Sequence, residues 1–309
     1  MEKIHETGYE IIFYHLESCI IFFLSVLIRV YPWLKYKLKW RQKMKKIGVI
    51  HYNFPGFSFA DYLKYASSTG YGYVELQIGD VWDNNVDNPE KKAEEVRKEV
   101  ESYGLKVSAL ASGNDFIVLD PEAVKAQVAR MDIICGLTKL LGAKVIRTEG
   151  GGAKDSVPEN RWVEAMAGCL TRCLDGAEKN DVKFAVDNHG YATNDGDLQV
   201  ELFKKVGSKR VGANMDTMNY RWRGHSLEKI DHFYEIVAPY TFHTHMKDGT
   251  GSIGEYRGAA LGEGEIHLAY AVQCLKKAGY DGVWCSEYEG SEGSDIGYRK
   301  CCEWLKANV

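Results

Sequence analysis

Eight times between residue 47 and the end of the chain, a short β-branched or apolar run is followed by a loop and then by a stretch of helical periodicity. Strands are expected at 47–52, 73–77, 106–111, 144–148, 183–188, 210–215, 241–246 and 282–287. Amphipathic helices, among them 89–103, 121–141, 158–179 and 227–237, lie between them. Pro89, Pro121 and Pro158 stand where a first helical turn has no N–H to lose. Gly70, Gly104, Gly142 and Gly279 follow helices at the place of a left-handed cap. Strands alternating with helices pair in parallel through right-handed crossovers. Eight such units in about 260 residues is the count and size of a (β/α)8 barrel. A doubly wound sheet gives no reason for eight regular repeats, and no G-x-G-x-x-G lies between a strand and a helix. Gly150-Gly151-Gly152 and Gly262-Glu263-Gly264 are loop glycines. The expected fold is an α/β TIM barrel over residues 47–309.

Residues 1–46 do not share this pattern. The stretch 11–34 is rich in Ile, Phe, Leu and Tyr, and Lys35, Lys37, Lys39, Arg41, Lys43, Lys45 and Lys46 follow it. Its uncharged part, 18–28, is about half of the ~20 residues that a membrane span needs. Glu17 and Arg29 flank it, and no small-x-small cleavage site follows. An interfacial or membrane anchor and an appended helix are two readings. The reading preferred is a hydrophobic and basic extension outside the catalytic fold, translated from an upstream start. Met44-Lys45-Lys46-Ile47 then reads as the natural opening of an α/β protein.

With 39 Lys+Arg against 43 Asp+Glu, the net charge of −4 lacks the electrostatic footprint of a nucleic-acid binder. The 8 cysteines include no C-x-x-C pair, which points to buried, reduced thiols in a cytoplasmic protein.

In a barrel of this kind the chemistry belongs to the C-terminal strand ends. Those ends read Glu75-Leu76-Gln77, Arg147-Thr148-Glu149, Asp187-Asn188-His189, Asp216-Thr217-Met218-Asn219, His243-Thr244-His245-Met246-Lys247-Asp248 and Glu287-Tyr288-Glu289. Carboxylates and imidazoles are costly at half-buried positions unless paired or metal-bound. Asp187, Asp216, His245 and Glu287 come from four successive strands and would converge above the barrel mouth. Three carboxylates and one histidine suit one divalent ion, Mn2+ first, with Mg2+, Co2+ or Zn2+ also accepted. A lone strand-end aspartate is as often a helix cap. His243 shares a strand face with His245, so either is a ligand or a partner bonded to one.

These residues carry a resemblance. The chain resembles the sugar phosphate isomerase/epimerase group of xylose isomerase-like TIM barrels, which includes ketose 3-epimerases, hydroxypyruvate isomerases and inosose dehydratases. It is carried by Phe184-Ala185-Val186-Asp187-Asn188-His189-Gly190, by Val211-Gly212-Ala213-Asn214-Met215-Asp216-Thr217-Met218-Asn219 and by Pro239-Tyr240-Thr241-Phe242-His243-Thr244-His245-Met246-Lys247-Asp248. Leu261-Gly262-Glu263-Gly264 and Ala278-Gly279-Tyr280-Asp281-Gly282-Val283-Trp284-Cys285-Ser286-Glu287-Tyr288-Glu289 extend it. The resemblance implies a single divalent metal on Asp187, Asp216, His245 and Glu287. The family pattern has Glu at the place of Asp187, which is one methylene shorter. A displaced strand, a bridging water or recruitment of Glu149 would compensate. Apurinic endonucleases of the same superfamily carry extra histidines where this chain has Asn219, Gln77 and Ser112-Gly113-Asn114. That departure and the net charge both speak against nucleic acid.

The chemistry so implied is a sugar isomerase or epimerase acting on a keto-sugar or polyol derivative through a metal-stabilised enediolate. Glu287, as ligand and base, and His189 lead the acid–base candidates, followed by Glu149. Lys247 is an electrophilic clamp unless it only pairs with Asp248, and Arg147 another unless it only pairs with Glu149. His243, Asn219, Trp82 and Trp222 complete the expected substrate contacts. The glycine-rich segment 249–264, with Glu255, Tyr256 and Arg257 expected exposed, reads as a lid or a partner-docking loop. The alternative is a lyase of the same fold, which dehydrates an inosose or keto-sugar or eliminates the aglycone of a 3-oxo-glycoside. A non-catalytic barrel subunit is the third reading. Expected partners are the small-molecule sugar and a second copy or partner subunit, with membrane contact only through residues 1–46.

Overall fold

The computed structural model describes residues 45–309. The extension expected at 1–46, with its anchor and appended-helix readings, falls almost wholly outside the described residues.

Barrel strands face side chains inside and helices outside, so they are apolar on both faces. Strand β1 (Ile47–Ile50) and β6 (Val211–Asp216) are buried at every residue. With β2 (Tyr73–Gln77), β3 (Lys106–Ala111), β4 (Val145–Thr148), β5 (Lys183–Asp187), β7 (Thr241–Met246) and β10 (Trp284–Ser286) they close a ring. Its order is β1-β10-β7-β6-β5-β4-β3-β2, and β1 pairs in parallel with both β10 and β2. Closure of the ring excludes the doubly wound alternative. The helices are α1 (Phe59–Thr69), α2 (Pro89–Ser102), α3 (Pro121–Leu140), α4 (Trp162–Asn180), α5 (Gly196–Val206), α6 (Asn219–Arg223), α7 (Leu227–Val237), α8 (Leu268–Lys277) and α9 (Ser294–Asn308).

Local chemistry explains most helix ends. Ser58 and Asp61 form a capping box on α1, and the side chains of Asn88, Asp120, Asp195 and Ser226 cap α2, α3, α5 and α7. Gly70 closes α1 at φ 96°, a conformation that a Cβ disfavours. The helix expected at 158–179 starts later. Pro158 precedes a 3-10 turn over Glu159–Arg161, and α4 begins at Trp162. The outermost strands are shorter than expected, ending at Ile50 and starting at Trp284.

Two register shifts interrupt the ladder, at Val74/Glu75 between β2 and β3 and at Ala213/Asn214 between β6 and β7. Each inserts one residue and re-aims the side chains beyond it. Beyond the first lies Glu75. Beyond the second, Asn214 pairs with His243 and Asp216 with His245.

The segment 249–264 is not a loose lid. Strands β8 (Asp248–Thr250) and β9 (Arg257–Ala259) pair antiparallel, and Gly258 bridges to Gly290. The Asp248 carboxylate accepts the backbone N–H groups of Gly249, Gly262, Gly264 and Ile266 at 2.8–3.3 Å, which pins both ends of the hairpin. A Cβ on Gly264 would meet Asp248 Oδ1 at 2.1 Å, so only glycine admits this approach.

Among the described residues, no helix is long and apolar enough to cross a membrane. Cys135, Cys169, Cys173, Cys285, Cys301 and Cys302 are free and buried.

Candidate active site

Glu75 is the hub of the barrel mouth and is fully buried. Its Oε2 accepts from His245 Nε2 at 2.7 Å and its Oε1 from Arg147 Nε at 3.1 Å. Burial raises a carboxylate, but the charge and hydrogen bond of His245, with the charge of Arg147, overcome it and bring Glu75 down to about 2. The sequence shows it as a carboxylate on an apolar strand, yet no role follows from that alone.

With Nε2 of His245 committed to Glu75, its Nδ1 faces the mouth. It lies 2.9 Å from Glu287 Oε2 but off the direction of a hydrogen bond. Burial opposes a charge on His245, yet Glu75 and Glu287 win and raise it well above its ordinary value. Asp216 presents a second unpaired atom. Its Oδ1 caps α6 by accepting from Met218 and Asn219 N–H at 2.8 Å, while Oδ2 is buried with no hydrogen-bond partner. Desolvation, with the charges of Glu287 and Asp187 and against that of Lys247, pushes Asp216 up to about 8. Asn188 fixes the backbone here, donating to Asp216 O at 2.9 Å and accepting from its N–H at 2.8 Å.

Asp216, His245 and Glu287 each offer one ligand atom within 4.8 Å of the others. A buried carboxylate oxygen left unpaired costs on the order of 1–3 kcal/mol. Asp216 Oδ2 and His245 Nδ1, neither hydrogen-bonded, beside Glu287 as a third donor are what a divalent cation satisfies, so the residues fit one.

The structure brings together three of the four expected ligands. Asp187 does not join them. Its Oδ2 accepts from Arg147 Nη1 at 2.7 Å and its Oδ1 from Asn214 Nδ2 at 3.0 Å. Glu75, His243 and His245 form a second group of the same spacing, deeper in the barrel.

Lys247, almost fully buried, reaches Glu289 Oε2 at 2.7 Å, Glu287 Oε1 at 3.1 Å and Asn219 Oδ1 at 3.4 Å. It does not pair with Asp248, whose carboxylate is taken up by the hairpin. Burial disfavours its charge, but Glu287, Asp216 and Glu289 raise it well above the usual lysine value. Burial would raise Glu287, but Lys247 and His245 hold it well below the carboxylate range. Arg147 contacts Glu149 at 3.5 Å, as expected, and also Glu75 and Asp187.

The remaining candidates are scattered. His243, expected as a substrate contact, lies one layer below His245 with both ring nitrogens engaged, Nδ1 with Asn214 Oδ1 at 2.9 Å and Nε2 with Ser108 Oγ at 3.2 Å. Burial takes it down to about 4, so it stays neutral. His189 is exposed, its backbone held by Thr193. Glu149 sits at the lip, its side chain 34% exposed. Trp82 lies under Arg130 at 5.6 Å, and Trp222 meets Tyr191 edge-on at 6.1 Å. Glu255 and Arg257 are exposed as expected. Tyr256 is not, and its hydroxyl donates to Glu289 Oε2 at 2.9 Å.

Comparisons with known proteins agree with this architecture. An uncharacterized protein of Methanocaldococcus jannaschii is 22% identical over 179 residues, or 54% of this chain. The match spans 60% of that relative's length. Among solved structures, the IOLI protein with a bound zinc atom superposes with a TM-score of 0.70 at 18% identity, covering 85% of this chain and 96% of that one. D-psicose 3-epimerase from Clostridium cellulolyticum, solved with D-tagatose, gives 0.70 at 14% identity, covering 85% and 99%. An L-ribulose 3-epimerase gives 0.68 at 16%, covering 86% and 94%. At such identities these likenesses establish the fold alone. The family model for xylose isomerase-like TIM barrels matches residues 63–308, from α1 through α9 and so across every residue of the mouth described above. By fold and by sequence, this chain belongs to the xylose isomerase-like TIM-barrel family.

Proposed function

We propose that the chain is a divalent-metal-dependent isomerase or epimerase of a keto-sugar or polyol derivative. The observation that carries this is the pair of buried atoms that make no hydrogen bond, Asp216 Oδ2 and His245 Nδ1, beside Glu287. The epimerases and the zinc-bound IOLI protein among the structural likenesses support the same class.

Asp216, His245 and Glu287 would hold the ion, with Mn2+ preferred and Zn2+, Co2+ or Mg2+ accepted by the same donors. When bound, a divalent cation supplies Lewis acidity toward a carbonyl oxygen and so acidifies the adjacent C–H. Glu287, kept ionised by Lys247 and His245, is the base that takes the proton from that carbon. The substrate becomes an enediolate, and Lys247 and Arg147 stand beside it as fixed positive charges. Epimerisation returns a proton to the opposite face. Glu149 directly follows β4, which stands four places from β10 in the eight-membered ring, on the opposite side of the mouth from Glu287. It takes this role in place of Asp187, whose oxygens are engaged. His189 at the rim relays protons to solvent.

The engagement of Asp187 also favours a second reading. Without a symmetrical pair of ligating carboxylates, elimination of a β-leaving group competes with reprotonation, and the product is that of a lyase.

The test is to incubate the full chain with Mn2+ and a panel of ketoses, inososes and 3-oxo-glycosides in D2O and to follow products by NMR. Deuterium next to the carbonyl in a product of unchanged composition supports the isomerase or epimerase. Loss of water or aglycone supports the lyase. A chain that binds no divalent metal and exchanges no substrate proton overturns both and leaves a non-catalytic barrel.

A further inference from the structure

Arg147 is held from two sides. From β4 its Nε reaches Glu75 on β2 at 3.1 Å, and its Nη1 reaches Asp187 on β5 at 2.7 Å. The second bond is at the short end of charge-assisted contacts. Asp187 is fixed at its other oxygen by Asn214, whose own Oδ1 is engaged by His243 Nδ1 at 2.9 Å, which sets the amide's orientation. Both oxygens of Asp187 are thus engaged by groups that are themselves held, Arg147 by Glu75 and Asn214 by His243. Asp216 Oδ2 and His245 Nδ1, two of the buried atoms that make no hydrogen bond, lie on β6 and β7, on the far side of Asp187 from Arg147 in the ring order.

We infer that Arg147 is a positioning residue that holds Asp187 off the metal, so that this chain binds its divalent cation with three side chains, Asp216, His245 and Glu287, rather than four. The inference rests on the metal reading above. The ion pair between Arg147 and Asp187 acts as a catch. To ligate, Asp187 must give up Arg147 and leave a buried guanidinium short of one carboxylate, while Glu75 prevents the guanidinium from following. Without Arg147, Asp187 loses its strongest tether and has a cation within its neighbourhood.

Cobalt titration of the full chain, read by visible absorption, tests this, because the d–d bands report the number and type of donors. The Asp187→Asn variant is expected to keep the wild-type cobalt spectrum, with affinity lowered by no more than about 10–100-fold, the range of changes outside the ligand set. The Arg147→Met variant is expected to bind cobalt at least about tenfold more tightly, with a changed spectrum as Asp187 joins. In Arg147→Met/Asp187→Asn the wild-type spectrum returns. A spectrum altered by Asp187→Asn alone, or one left unchanged by Arg147→Met, overturns the inference while the metal reading stands. If the wild type takes up no cobalt, the metal reading falls and the inference with it. If Arg147→Met does not fold, as far-UV circular dichroism shows, the spectrum of Asp187→Asn decides.

Discussion

Replacing Glu75 by Gln keeps the shape of the side chain and removes its charge. In the wild type this buried carboxylate accepts from His245 and Arg147, and an amide offers one oxygen and one NH2 to two cationic donors. One of the two is then left facing another donor. The gap between the ordinary 4.5 and about 2 for Glu75, at about 1.4 kcal/mol per pKa unit, corresponds to about 3 kcal/mol. That agrees with the roughly 3–5 kcal/mol lost when a buried ion pair is broken by removing one partner. Because the carboxylate is depressed, its contribution is complete above 4.5 and is lost as the pH falls toward about 2. His245 is raised, so its share is complete below its ordinary 6.5 and is lost as the pH climbs through its folded value. Both describe one interaction, which counts once. Urea unfolding of wild type and Glu75→Gln in EDTA, followed by circular dichroism, is expected to show a difference of about 3 kcal/mol at pH 7. The difference should fall to about 1 kcal/mol at pH 3. A loss below about 1 kcal/mol at pH 7, or a loss that does not change with pH, refutes the electrostatic reasoning.

Four other outcomes follow from the site and the hairpin beside it. A divalent ion at 100 times its Kd should stabilise the chain by about 2.7 kcal/mol in thermal unfolding, and Asp216→Asn should abolish the gain. Since Asp216 is raised to about 8 and His245 is raised well above its ordinary value, metal uptake should release protons, and affinity should rise with pH through the range near 8 where Asp216 ionises, measured by calorimetry in buffers of different ionisation enthalpy. Glu149→Gln should lower turnover by about 10²–10⁴ while still exchanging the substrate proton removed by Glu287, whereas Glu287→Gln should lose both exchange and turnover. Asp248→Asn should speed amide exchange at Gly262, Gly264 and Ile266 with little change in the barrel strands, because its carboxylate is what those amides share.

Residue types at strand ends could be read from the chain because strand periodicity and loop glycines do not depend on distant contacts. Strands β2, β3 and β7 fall where the pattern places them, and Asp216, His245 and Glu287 meet as their strand order requires. What the pattern does not contain is orientation within the mouth. Arg147 reads as a pair for Glu149 because the two are neighbours in sequence, while its shorter bonds run to Glu75 and Asp187 on other strands. His243 and His245 look equivalent in the sequence, but His243 stands opposite Asn214 and His245 opposite Asp216, which gives them different partners. Asp248 looks like a partner for Lys247, its neighbour, but four backbone amides that arrive from later in the chain claim it. The hairpin hides for the same reason: glycines suit both a mobile loop and a tightly clamped one.

Ring closure between β1 and β10 has a consequence for synthesis on the ribosome. The proposed metal ligands Asp216, His245 and Glu287 all lie in the last third of the chain, and Glu287 directly follows β10, the strand that seals the ring. Glu75, Arg147 and Asp187 emerge much earlier, as a charged cluster still lacking His245. A nascent chain halted before β10 therefore displays unpaired parallel edges and an incomplete acid cluster, a state exposed to aggregation and to chaperones. The proposed divalent ion would find its full set of side chains only at the last step, and held between β6, β7 and the residue after β10 it would fasten the final strand to its neighbours as the barrel is completed.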